Sequence, residues 1–108
     1  MAKKKEHNTY RHLKQQYPQY LDAVEALGAA VREAGPLEEK VVQLIQLGAA
    51  AAIHSEGAVH SHARRAAQAG ATPEEIRHAL IALTSTIGFP TVVAAISWAQ
   101  DVLGEEAP

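Results

Sequence analysis

The chain has 108 residues, a formal net charge of −2, no cysteine, and a composition that is 47% apolar and 5% aromatic. This length fits a single domain, and the absence of a basic excess argues against nucleic acid as a partner. Without cysteine, disulfides, thiolate zinc sites and thiol redox chemistry are excluded. No uncharged apolar segment approaches about 18 residues and no signal-peptide pattern occurs, so we expect a soluble, cytoplasmic protein that does not bind membranes.

The N-terminal third predicts a tail followed by two helices. Residues 1–6 carry a basic run and are expected to form a flexible, solvated tail. Polar, helix-compatible residues follow from His7 to Gln16. Pro18 is well suited to the first turn of a second helix, because its fixed backbone angle matches the helix and its missing N–H is not needed there. The apolar residues of that helix recur at helical spacing: Leu21, Val24, Leu27 and Val31.

The middle of the chain predicts two further helices joined by a short turn. The third helix is expected to start near Leu37, with Glu38 and Glu39 favoured by the positive end of its dipole, and to continue into a run of alanines. The fourth is expected over residues 56–69. Ser55 is placed to cap it, because a serine oxygen can accept a hydrogen bond from a free N–H in the first turn.

The clearest local signal is the start of the fifth helix. Thr72 is a good N-cap, Pro73 fits the first helical position, and Glu75 is spaced to complete a capping box. We expect this helix to run through Ile87 and to end at residues 88–90, after which a last helix follows. No strand-like alternation of useful length occurs, so the sequence predicts an all-α fold of about six helices.

Three of the six histidines fall within nine residues, but helical geometry separates them. His62 shares a small, apolar face of the fourth helix with Ser55 and Ala58. Glu56 and His60 are one turn apart and lie roughly 120–160° around the helix from His62. The segment therefore predicts two different surroundings rather than one histidine cluster.

Candidate catalytic residues follow from this arrangement. Gln43 and His54 are expected on one stripe of the third helix, and antiparallel packing of helices three and four would bring both to the pocket that His62 faces. An imidazole with a pKa near ~6.5 can exchange protons at neutral pH, so His62 is the expected general acid or base, with Gln43 and His54 beside it. The alternative is a histidine that only fills the core.

The remaining polar residues have structural interpretations as well. Glu56 and His60 are expected to form a surface pair or a subunit contact, and the alternative is half of a metal site completed by His54 or by another subunit. Because one helix supplies only two ligands and zinc needs three or four, we predict neither a metal nor a cofactor. His78 is expected at a subunit interface or on a second pocket wall.

Several motifs together resemble the carboxymuconolactone decarboxylase superfamily, which includes the alkylhydroperoxidase D-like (AhpD-like) proteins. They are Q-L-I-x-L-G-A-A-A-A, H-S-E-G-A-V-H-S-H, A-G-A-T-P-E-E-I and T-I-G-F-P. The resemblance implies one helical-bundle domain over residues 1–108 that assembles into homotrimers or homohexamers, with sites near the subunit interfaces. The positions that match the family pattern are His62, Gly70, Thr72, Glu74, Glu75, Ile76, Gly88 and Pro90.

Three positions differ from what the resemblance implies for the active members. The redox members carry cysteines where this chain has Ser55 and Ala58, and a proton-relaying glutamate where it has Gln43. The decarboxylase branch carries a glutamate at the Ala58 position. Neither hydroperoxide reduction by a dithiol nor the lactone decarboxylation is therefore expected.

Two functional hypotheses remain. The first is a non-redox acid–base enzyme, a lyase or isomerase, that uses His62 on a small carbonyl or carboxylate substrate. The second is a non-catalytic binding or assembly protein that keeps the fold. In both, the expected partners are further copies of the chain and a small-molecule ligand.

Overall fold

The computed structural model describes the backbone of residues 2–104 and the side chains of residues 8–104. Within that part the chain forms seven helices and no strand, which confirms the all-α prediction. The helix beyond the six that we expected is the short α6. The helices are α1 (Ala2–Gln16), α2 (Pro18–Arg32), α3 (Glu39–Ala52), α4 (Glu56–Gln68), α5 (Pro73–Ile81), α6 (Thr84–Ile87) and α7 (Phe89–Leu103).

The chain divides into two compact units, one up to Leu37 and one from Glu38 onward. In the first unit α1 packs on α2, and Glu25 joins them by accepting hydrogen bonds from the Tyr10 hydroxyl and, at 2.9 Å, from the Lys14 ammonium. Met1 and the side chains of residues 2–7 lie outside the described residues. The backbone of residues 2–6, where a flexible tail is expected from the sequence, belongs to α1. None of the described helices is long and apolar enough to cross a membrane.

The second unit has a core built largely from alanine. Because alanine side chains end at Cβ, helices that meet through them can approach closely and still fill the interior. Larger aliphatic side chains occupy the rest of the core, and α4 lies against both α3 and α7. The residues of this core that are fully buried are Leu47, Ala51, Val59, Ala63, Ala66, Ile76, Leu80, Ala95 and Ala99.

The expected caps of α4 and α5 are present. The Ser55 hydroxyl accepts a hydrogen bond from the backbone N–H of Ala58 at 3.3 Å. The Thr72 hydroxyl accepts from the Glu75 N–H at 3.0 Å, while the Glu75 carboxylate accepts from the Thr72 N–H at 3.0 Å. These bonds satisfy N–H groups that no helical carbonyl can reach, and they fix where each helix begins.

Two details differ from the prediction. The third helix ends with the alanine run at Ala52, as expected, but His54 lies beyond it with a left-handed backbone, φ of +59°, and so cannot continue the stripe of Gln43. The fifth helix ends at Ile81 rather than Ile87. The Thr84 hydroxyl donates to the Ile81 carbonyl at 2.7 Å, and such side-chain bonds compete with helix continuation.

Candidate functional site

A partly buried polar contact joins α3 to α4 in the second unit. Nδ1 of His62 lies 2.9 Å from Oε1 of Gln43. Gln43 is completely buried, whereas His62 is half-buried. The structure therefore brings together two of the three candidate catalytic residues, and it does so at hydrogen-bond distance.

Glu39 extends this contact by one helical turn. Nε2 of Gln43 donates a hydrogen bond to Oε2 of Glu39 at 2.9 Å. A carboxylate only accepts, so the amide nitrogen must face Glu39 and the amide oxygen must face His62. That oxygen accepts the proton of Nδ1, which leaves Nε2 of the neutral ring with its lone pair free for a proton.

Glu39 was not a candidate from the sequence, where it was assigned to the helix dipole. The signal that could have identified it is its spacing from Gln43, since residues four apart on a helix are neighbours. The hydrogen-bonded chain is therefore Glu39, Gln43 and His62.

The surroundings of His62 favour its neutral form. Burial lowers the pKa of the imidazole below its ordinary value of 6.5, and the positive charge of Arg65 lowers it further. Both causes act against adding a proton to the ring. Together with the Gln43 contact, they favour a neutral imidazole with Nε2 as the acceptor.

The other predicted site residues occupy different places. His54 is exposed in the turn between α3 and α4, and it does not take part in the chain that ends at His62. Ser55 serves as the cap of α4, and Ala58 is half-buried one turn before His62. His78 is exposed on α5.

A second polar cluster lies between α4 and α7. His60 is only 1% exposed, so the expected surface pair with Glu56 is wrong for the imidazole. Its Nε2 lies 2.9 Å from Oδ2 of Asp101 and 3.9 Å from Oε2 of Glu56. Asp101 was missed because it is 41 residues away in sequence, and only the packing of α7 on α4 brings it here. As expected, His60 and His62 face different neighbours.

The sequence and the fold have counterparts in known proteins. The family profile described as "Carboxymuconolactone decarboxylase family" matches residues 18–101. That span is most of the chain, and the chain belongs to this family.

Two individual relatives share a moderate sequence identity with this chain. An uncharacterized protein of Methanocaldococcus jannaschii is 28% identical over 94 residues, covering 87% of this chain and 88% of the relative. An uncharacterized protein of Haemophilus influenzae is 38% identical over 58 residues, and the match spans 54% of this chain and about half, 51%, of that protein.

The fold also matches a solved structure. The apo crystal structure of a carboxymuconolactone decarboxylase family protein from Legionella pneumophila superimposes with a TM-score of 0.79, covering 94% of this chain and 89% of that chain. The sequence identity is 22%. This similarity establishes the helical architecture.

Proposed function

We propose that this chain is a non-redox acid–base enzyme of the family, a lyase or isomerase that acts on a small carbonyl or carboxylate compound. In this proposal Nε2 of His62 takes a proton from the substrate and returns one to it. The observation that carries the proposal is the hydrogen-bonded chain from Glu39 through Gln43 to His62. This chain fixes the imidazole in the form that a general base requires.

The three residues have different roles in the proposed reaction. His62 is the catalytic residue, because it alone would touch the substrate. Gln43 is a positioning residue that holds Nδ1, and Glu39 is a positioning residue that holds the amide of Gln43. In hydrolytic triads a third group orients the base. In this proposal Glu39 and Gln43 orient the imidazole of His62 in a similar way.

Charge near the site supports an anionic substrate. Arg65 is close enough to His62 for its charge to lower the pKa of the imidazole. The same charge would attract a substrate carboxylate, and it would stabilise the enolate that forms when a proton leaves the carbon next to a carbonyl.

Redox chemistry by a dithiol is not available to this chain. The two positions at which the redox relatives carry cysteine are Ser55 and Ala58, and no cysteine occurs elsewhere in the sequence. A hydroxyl and a methyl group cannot cycle through a disulfide.

We also propose that the chain works as a homo-oligomer. One face of α2 exposes four large apolar side chains at helical spacing: Tyr20, Val24, Leu27 and Val31. Leu27 is 64% exposed. A stripe of this kind is stabilised when it is buried against another apolar surface, and a second copy of the chain supplies an identical stripe.

The catalytic proposal is tested by proton exchange, which needs no knowledge of the complete reaction. The purified chain is incubated in D₂O with small 3-oxo acids and with carboxylated lactones, and loss of the proton next to the carbonyl is followed by ¹H NMR. Removing a general base costs roughly 10²–10⁴-fold in rate, so we expect His62→Asn to slow exchange by at least about 100-fold. Glu39→Ala is expected to slow it less, because the base remains.

The matched control is His12→Asn, which removes an exposed histidine of α1. Exchange at the wild-type rate in His62→Asn would contradict the proposal. No exchange above the buffer rate with any of these compounds would also contradict it, and would favour the non-catalytic hypothesis.

A further inference from the structure

The cluster between α4 and α7 has the composition of a metal site. Glu56 and His60 lie one turn apart on α4, and Asp101 projects from α7. One ligand atom from each of the three lies within 4.8 Å of the other two. The imidazole is buried, while the Asp101 side chain is 49% exposed, so the cluster is anchored in the protein and open to solvent on one side.

The distances suit a small divalent cation. Zinc bonds of about 2.0–2.1 Å at tetrahedral angles separate neighbouring ligand atoms by about 3.4 Å. Nε2 of His60 lies 2.9 Å from the Asp101 oxygen and 3.9 Å from the Glu56 oxygen, which bracket that value. Shifts of about 0.5 Å, within reach of side-chain rotation at two partly exposed carboxylates, would bring these two ligand pairs to zinc geometry.

The charges also suit a cation. Two carboxylates converge on Nε2, which can donate only one proton, and the Glu56 oxygen at 3.9 Å is beyond hydrogen-bond distance. In the metal-free form that proton is directed to Asp101. A Zn²⁺ ion would take the place of this proton on Nε2: a neutral ring moves its proton to Nδ1, and a ring that carries two protons releases one to solvent. The two carboxylates would then neutralise the charge of the ion.

We propose that Glu56, His60 and Asp101 bind one Zn²⁺ ion, with a water molecule in the fourth position on the exposed side. One nitrogen and two oxygen ligands are a set that zinc accepts. The site is separate from the proposed catalytic site, because His60 contacts α7 whereas His62 contacts α3. The ion would join the last helix of the fold to α4.

Zn²⁺ binding to the full chain, freed of metal with a chelator, tests the proposal by isothermal titration calorimetry. We expect one Zn²⁺ per chain. Loss of an outer-shell partner alone weakens metal sites by roughly 10–100-fold, so Glu56→Gln and Asp101→Asn should each weaken binding by at least about 100-fold. Both variants change partly exposed side chains, and circular dichroism checks that they fold.

Three controls locate the ion. Glu33→Gln and His12→Asn remove an exposed carboxylate and an exposed histidine of the first unit, and both should bind like wild type. His62→Asn should also bind like wild type. On addition of Zn²⁺, the ¹⁵N resonance of Nε2 of His60 should lose its attached proton and shift.

Each contrary outcome is distinct. Binding well below one equivalent, or wild-type affinity in Glu56→Gln and Asp101→Asn, would overturn the proposal and leave a buried hydrogen bond between His60 and Asp101. Loss of binding in His62→Asn would assign the ion to the other site and would overturn it as well.

Discussion

Nδ1 of His62 lies 2.9 Å from Oε1 of Gln43. The resemblance to the redox members of the family implies a glutamate at the position of Gln43. A carboxylate is nevertheless close to the site, because Glu39 lies one turn before Gln43. Oε2 of Glu39 accepts a hydrogen bond from Nε2 of Gln43 at 2.9 Å. A neutral group therefore separates the charge from the imidazole.

Gln43→Glu would restore a carboxylate next to His62 but would place it against Glu39. The buried amide donor is lost and two carboxylates meet, so we expect unfolding free energy to fall by about 1–3 kcal/mol, measured by urea denaturation at neutral pH. The new charge should also raise the pKa of His62.

The exchanged pair Glu39→Gln with Gln43→Glu provides the control. It restores one amide and one carboxylate in hydrogen-bond distance, and it should recover at least half of the lost stability. If the double variant is no more stable than Gln43→Glu alone, the two residues are not coupled as the structure indicates.

The charge of Arg65 is expected to affect the titration of His62 directly. In chelator-treated protein, the His62 ring followed by NMR should titrate with a midpoint below 6.5, because burial and Arg65 both lower its pKa. Arg65→Gln removes one of these causes and should raise the midpoint, whereas Arg64→Gln serves as the neighbouring control. A midpoint at or above 6.5 in the wild type would be inconsistent with a half-buried neutral ring.

The capping box of α5 is expected to contribute measurable stability. Thr72→Ala removes an N-cap oxygen, which costs about 1 kcal/mol. The measurement is urea denaturation at neutral pH, with Thr86→Ala on the exposed side of α6 as the control. Equal losses in both variants would mean that the cap contributes nothing specific.

Glu75 gives this cap a pH dependence. The backbone hydrogen bond from Thr72, and then Lys40, lower the pKa of Glu75 below its ordinary value of 4.5. A lowered folded-state pKa means that the unfolded chain binds the proton more tightly, so the contribution is present above pH 4.5 and is lost as the pH falls through the lowered value. As the pH is lowered, the unfolding free energy should therefore fall less in Glu75→Gln than in the wild type, whereas Glu74→Gln should behave like the wild type. An equal fall in Glu75→Gln and the wild type would contradict the role of Glu75 in the cap.

The exposed face of α2 predicts how the chain associates. Leu27→Glu with Val31→Glu places two charges on the apolar stripe, and we expect analytical ultracentrifugation to show a shift from an oligomer to single chains. Ala26→Glu, on the same helix but roughly 130° away from the stripe, should leave the mass unchanged. An oligomer that survives the double substitution would assign the interface to another surface.

The sequence predicted the features that depend on neighbours in the chain. Thr72 and Glu75 form the capping box, Ser55 caps α4, and Gly88 separates the last two helices, because each of these depends on a few adjacent residues. The assignment of Gln43 and His62 to facing sides also followed from helical periodicity, given a short turn between two helices.

The features that it did not predict depend on tertiary packing or on a single backbone angle. Asp101 reaches His60 only because α7 packs on α4, and no periodicity reports that. His54 lies off the stripe on which helical periodicity placed it, because α3 ends at Ala52 and the backbone of His54 is left-handed. Glu39 illustrates a third case, since the helix dipole is by itself an adequate explanation for a carboxylate in a first turn, although this carboxylate also accepts a hydrogen bond from Gln43.

The amide between Glu39 and His62 has a consequence for the direction in which protons can travel. A glutamine side chain does not take up or release a proton at neutral pH. The Glu39 carboxylate therefore cannot accept, through Gln43, the proton that the His62 imidazole receives. In the proposed reaction that proton leaves through the same Nε2 by which it entered. A base of this kind favours reactions in which the proton taken from one atom of the substrate is returned to a different atom of the same molecule. A deuterium label at the first atom should therefore be partly retained in the product.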